Sequence, residues 1–110
     1  MTGDSSYSVH WRPLAEEDLL SIVRYIARDT PEQAIAFGRE IKEKTDSLTS
    51  MPARCRRGHV PGTRELVVRG MYLVIFKIHR RKVTILRIKH AALEDVDLYQ
   101  AVTKLPPKKE

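Results

Sequence analysis

Acidic residues are almost missing from one long block of this chain. Between Arg54 and Lys89, Glu65 is the only acid, against eleven lysines and arginines. Cysteine is nearly as scarce. Cys55 stands alone, which excludes an internal disulfide and fits a reducing compartment. It lies between Arg54 and the Arg56–Arg57 pair, but no His–Asp or Cys-x-x-Cys context accompanies it, so we read it as an incidental thiol. No stretch approaches the ~20 apolar residues that a membrane-spanning helix needs, and no membrane association is expected. The opening MTGDSSYSV has no basic segment followed by an apolar one, which argues against a signal peptide and for a cytoplasmic location. His10, His59 and His79 show no ligand spacing, so neither a metal nor any other cofactor is expected.

What is present is an uneven distribution of charge. Residues 1–53 hold six bases and nine acids, and residues 91–110 hold three bases and four acids. The net charge of +6 therefore comes wholly from the middle block. A folded basic block suggests a polyanionic partner: RNA, DNA or an acidic protein segment. At 110 residues the chain supports one domain with a modest core.

The apolar pattern orders the elements. Tyr7 to Trp11 alternates apolar and polar residues, as a half-buried strand does. Pro13 permits a helix start, and Glu16, Glu17 and Asp18 suit the dipole of its first turn. Leu19, Ile22, Val23 and Ile26 then form a stripe down about four turns. Thr30-Pro31-Glu32-Gln33 reads as a capping box opening a second helix, with Ala34, Phe37, Ile41 and Leu48 on one face until Met51-Pro52 stops it. So short a connection predicts an antiparallel helical hairpin. Residues 52–63 read as a loop, followed by strands at 64–69, 72–79 and 82–90 that should pair as an antiparallel meander. Val96, Leu98, Tyr99 and Val102 predict a short helix in the tail, and about 1–6 and 104–110 are expected to be flexible.

The expected fold is α+β: an N-terminal strand, then a two-helix hairpin on one face of a mainly antiparallel sheet, then a short C-terminal helix. Strict alternation along 82–90 would put Arg87 and Lys89 on one face and Leu86, Ile88 and His90 on the other. Lys77 and His79 would share a face of their strand.

Taken in order, these pieces resemble the RelE/ParE superfamily, the toxin half of bacterial type II toxin–antitoxin pairs. The resemblance is carried by DLLSIVRYIA in the first helix, TPEQAIAFGREI in the second, PGTREL entering the sheet, and YLVIFKI…VTILRIKH, where an arginine precedes a histidine by three residues. It implies growth inhibition relieved by a cognate antitoxin whose acidic tail folds over the basic sheet in a hetero-oligomer. Operator DNA would then be read only through the antitoxin. It also implies one of two actions, ParE-like poisoning of DNA gyrase or RelE-like cleavage of mRNA on the ribosome, and fold alone does not choose between them.

RNA cleavage needs a deprotonated 2′-hydroxyl, a stabilised phosphorane and a protonated leaving oxygen. The resemblance places Arg64, Arg87 and His90 where RelE-like nucleases keep such groups. Many of those nucleases carry a tyrosine just past the last strand, whereas here Ala91-Ala92 follow His90 and Tyr99 is out of register. That departure and the ending IKHAALEDVDLY favour the ParE-like reading. Under it, Arg64, Lys77, Arg87, Lys89 and His90 would contact the target. Three of them have a plainer alternative. Arg64 would pair with Glu65 or the acidic helices, Arg87, amid apolar neighbours, would need a partner or an open surface, and His90 would be a hydrogen-bonded strand end.

Overall fold

The computed structural model describes residues 6–91. Strand β1 (Ser8–Trp11) leads into α1 (Pro13–Ala27) and α2 (Pro31–Asp46). The remaining strands are β2 (Arg56–Arg57), β3 (Arg64–Val68), β4 (Tyr72–His79) and β5 (Lys82–His90). They form a five-stranded sheet in the order β1-β5-β4-β3-β2. β1 runs parallel to β5, and every other pair is antiparallel. A parallel neighbour needs a long crossover, and the rest of the fold between β1 and β5 supplies it. The α+β architecture expected from the pattern is therefore present.

Both helices pack on one face of the sheet. Ala15 of α1 and Phe37 and Ile41 of α2 meet Val68, Val74, Phe76, Val83, Ile85 and Ile88 in the main core. The α1 stripe (Leu19, Ile22, Val23, Ile26) and Trp11 flank that core half-buried. On the opposite face Leu73, Ile75 and Leu86 make a smaller buried cluster.

The hairpin turns use left-handed backbone. Arg69 and Gly70 both have positive φ (57° and 69°), and the Met71 N–H donates to the Val68 carbonyl at 3.1 Å, closing a type I′-like turn. In the Arg80–Arg81 turn only Arg80 is left-handed, at φ 59°. That explains how a pair without glycine or asparagine serves there: one residue carries the strain rather than two.

Four expectations are corrected. The Thr30 side chain makes no capping hydrogen bond, and the first turn of α2 is held instead by the Ala34 N–H donating to the Thr30 carbonyl at 3.1 Å. α2 ends at Asp46, and a 3-10 turn at Ser47–Thr49 delivers Leu48 to the core before Met51 turns left-handed. The loop at 52–63 contains the short strand β2, which polar Arg56 and Arg57 do not signal. The alternation expected on β5 holds for Arg87 and Lys89 against Ile88 and His90 but fails at Leu86, because Ile75 pairs with Arg87 while Phe76 pairs with Ile85, so Leu86 is the extra residue of a β-bulge. Leu86 thereby joins Leu73 and Ile75. The expected tail helix and the segment 104–110 lie outside the described residues, as do residues 1–5, whereas Ser6 bridges Ser50.

Candidate target-binding surface

Past Trp11 the chain leaves the edge of β5, and α1 takes its place. The Arg12 N–H donates to the Ile85 carbonyl at 3.0 Å, the last backbone bond of that edge. The next outward amide belongs to Ile88, and it donates to Oδ2 of Asp18 at 2.9 Å. A carboxylate on α1 thus stands in for the missing strand. The same carboxylate receives Arg87 as a fork, Nε to Oδ2 at 2.7 Å and Nη2 to Oδ1 at 2.9 Å. Both side chains are nearly buried, at 14% and 15% exposed. Bidentate geometry in a shielded setting makes this a strong contact rather than a surface ion pair. Arg87 has therefore found the partner that its apolar neighbourhood demands.

His90 lies on the helix-side face. Its ring meets Tyr72 edge-on at 5.1 Å, and Tyr72 in turn meets Phe37 of α2 at 4.7 Å. The Arg69 guanidinium lies 5.3 Å from the Phe37 ring and donates to Glu40 of α2 at 2.6 Å. These contacts tie the β3–β4 turn to the helix and position Tyr72 beneath His90. Tyr72 carried no functional signal in the sequence.

Arg64 sits at the other end of β3. It pairs with Arg57 across β2–β3 and donates from Nη1 to the Cys55 carbonyl at 2.7 Å. It does not pair with Glu65, which lies on the opposite face. Beside Arg64 is a cleft of about 660 Å³ lined by Arg57, His59, Ile78 and the loop from Gly58 to Thr63. That loop is braced by the Gly58 N–H to the Thr63 carbonyl (2.9 Å) and the Thr63 hydroxyl to the Val60 carbonyl (2.7 Å). Any side chain at 58 would collide with Thr63, since a Cβ there falls 2.3 Å from its hydroxyl oxygen. The Cys55 thiol is pushed up by burial, with Arg64 opposing, so it is less nucleophilic than its arginine-rich surroundings imply.

Glu65, the lone acid of the basic block, is only 3% exposed. Burial pushes its carboxyl up, but the His59 ring, the His59 backbone N–H and Arg56 together hold it below its ordinary value. The contacts are 3.0 Å to Arg56, 3.0 Å to the His59 ring and 3.3 Å to the His59 amide. A depressed folded-state pKa means that the unfolded chain binds the proton more readily. Stability from Glu65 should be complete above its ordinary value of 4.5 and lost as pH falls through the lower folded value. Urea midpoints measured against pH should therefore drop less in Glu65→Gln than in the parent over that acid range. Parallel profiles would mean that the carboxylate contributes nothing through its charge.

Lys77 and Lys89 share the face away from the helices, Lys77 opposite Thr84 and Lys89 opposite Leu73. The five residues expected to act together thus fall into separate places. Lys77 and Lys89 share a face, Arg64 stands with Arg57, Arg87 is forked to Asp18, and His90 rests on Tyr72. Arg64 registers with Phe76 and His90 with Tyr72, so they are about 13 Å apart along the strands and about 10 Å across them. Among the described residues no group of three His, Cys, Asp or Glu side chains is placed to hold a metal ion.

Comparison with known proteins agrees with this architecture. Residues 9–93 match the family model described as the ParE toxin of the type II toxin–antitoxin system parDE. Toxin RelE2 of Caulobacter vibrioides is 38% identical over 82 residues, covering 74% of this chain and 90% of that protein. Putative toxin Y4kP of Sinorhizobium fredii is 34% identical over 84 residues, covering 76% and 86% respectively. A solved chromosomal ParDE system from P. aeruginosa superimposes with a TM-score of 0.71 at 26% identity, covering 78% of this chain and 97% of that one. With most of its length matched by the family model and its fold shared, the chain belongs to the ParE toxin family, within the RelE/ParE superfamily of type II toxin–antitoxin toxins.

Proposed function

We propose that this toxin acts by binding, trapping DNA gyrase on cleaved DNA, rather than by cutting RNA. The observation that carries the reading is the separation of Arg64, Arg87 and His90. A phosphorane needs its stabilising cations and its proton donor within hydrogen-bond reach of one phosphate. Here those groups are spread over ~10 Å or more of sheet, given the strand spacing, and Arg87 is already engaged by Asp18. A dispersed basic surface suits protein or nucleic-acid contact. The match to the ParE family model points the same way. Arg64, Lys77, Arg87, Lys89 and His90 remain the proposed target contacts, with Arg87 acting partly by holding β5 against α1.

A cognate antitoxin is the proposed neutralising partner, in line with the P. aeruginosa neighbour, which is a ParDE toxin–antitoxin system. Its acidic amphipathic tail would cover the basic sheet near Lys77 and Lys89, and any operator contact would come from the antitoxin. Purified toxin added at micromolar concentration should block gyrase supercoiling and accumulate cleaved plasmid. Undisturbed supercoiling would reject the gyrase reading.

The second reading is ribosome-dependent mRNA cleavage, favoured by the similarity to a protein named Toxin RelE2. Arg64 and Arg87 would then stabilise the phosphorane while His90 moves a proton. Mapping of 5′ ends minutes after induction separates the two. New ends in phase with codons would establish the nuclease, and arrest without them would favour gyrase.

A further inference from the structure

The helical hairpin carries an apolar groove that neither reading uses. Glu16, Leu19, Leu20 and Val23 line it from α1, at the i, i+3, i+4 and i+7 positions of one helical face. Trp11 joins them from β1, and Lys42 stands on the α2 side of a space of about 320 Å³. The fold does not seal it. Ala15 is the only fully buried residue of α1, and Leu20 is 49% exposed. On α2, Ile35 lies about two turns before Lys42, on the same face, and is 58% exposed. Gly38 stands between them, and a Cβ built there falls 3.8 Å from a methyl of Val23, so the helices approach closely at that level. Neighbouring exposed apolar residues with a polar rim mark an interaction site.

The rim narrows the occupant. Glu16 borders the groove on the α1 side and Lys42 on the α2 side, and neither side chain has a hydrogen-bond or ion-pair partner among the described residues. An acid and a base on opposite rims make a surface that is complementary to itself. A twofold axis along the groove lays α1 of one copy over α2 of the other. Glu16 then faces the partner's Lys42, and the partner's Glu16 faces Lys42 in return. Leu20 is one turn along α1 from Glu16, and Gly38 is one turn back along α2 from Lys42. Leu20 therefore seats over the partner's Gly38, where no side chain stands in its way. Each helix gains an antiparallel neighbour, as in a four-helix bundle. We propose that a second copy of this chain docks in the groove, giving an isologous dimer through the helical hairpins. No residue of the proposed target contacts takes part, so the dimer and the target are tested separately.

One hairpin per copy makes an interface at the small end of stable contacts, so a dissociation constant on the order of 10 μM is expected. Sedimentation velocity of the purified full chain from about 1 to 200 μM brackets that value. Leu20→Glu should weaken association at least about tenfold. Glu16→Lys and Lys42→Glu should each weaken it about tenfold, since symmetry repeats every like-charge clash. An equimolar mixture of those two variants should associate about as tightly as the parent, because each chain supplies the charges that the other lacks. Recovery on mixing can arise only between chains, which sets it apart from any effect within one hairpin. A monomer throughout the concentration range would overturn the proposal and leave the groove to a helix of another protein. A dimer indifferent to Leu20→Glu, or a mixture that does not recover, would overturn it in favour of a different face. Circular dichroism of each variant guards against loss of fold, which is not expected because Glu16, Leu20 and Lys42 are all exposed.

Discussion

Phe37→Ala is expected to lower stability by about 4 kcal/mol, the usual cost of emptying a fully buried phenylalanine site. Phe37 is 0% exposed and joins three parts of the fold: α2, which bears it, the β3–β4 turn through Arg69, and Tyr72 of β4. The cavity cannot collapse easily. Its walls are a helix on one side and a sheet on the other, each held by its own hydrogen bonds. A domain of this size has only ~5–15 kcal/mol in total, so the variant would lie close to unfolding. Phe37→Leu keeps most of the volume and should cost about 1.5 kcal/mol or less. Urea unfolding of both variants gives the comparison. A loss below about 1 kcal/mol for the alanine variant would contradict the packing, because no interior site of that size empties so cheaply. A second effect separates packing from mere stability. Tyr72 rests on Phe37 and His90 rests on Tyr72, so the His90 ring resonances should shift even in Phe37→Leu.

The next largest effect is expected for Asp18→Ala, at about 3 kcal/mol. Two losses combine. The Ile88 amide loses its acceptor at the edge of β5, and Arg87 loses its forked partner in a shielded site. Asp18→Asn should recover part of this, because its side-chain carbonyl still accepts from one donor. Arg87→Met should cost less than Asp18→Ala, since an apolar chain can fill the space while Asp18 keeps the Ile88 amide. Chemical denaturation of the three variants checks the ranking. If Asp18→Ala cost under about 1 kcal/mol, the contact would be a surface ion pair in energetic terms. The ranking also bears on function. Any growth defect lost in Arg87→Met but kept in Asp18→Asn at matched stability would assign Arg87 a direct contact with the target.

Most elements of this fold were legible because they depend on local pattern. The stripes on α1 and α2, proline at each helix start, and the three hydrophobic strands all follow from spacing and backbone preference, which neighbours reinforce without redirecting. So does the uneven charge, which is simple counting. The candidate site was far less legible. Arg64 opens one strand while Arg87 and His90 close another, and nothing in their spacing says that one forks an aspartate sixty-nine residues away. Asp18 itself read as a dipole-pleasing residue in a first helical turn, an ordinary role that hides its second one.

The elements, their order, the helical hairpin and the restriction of the net positive charge to the block that carries β2 to β5 were thus written in the chain, since each rests on short-range periodicity or composition. Where the charges point was fixed by long-range contacts. The bulge at Leu86 breaks the alternation that would assign faces, and the edge of β5 left open beyond β1 recruits Asp18 and with it Arg87. The two-residue strand β2 sets Arg57 opposite Arg64. These outcomes depend on register and on contacts between distant segments, in which a shift of one residue turns a side chain to the other face.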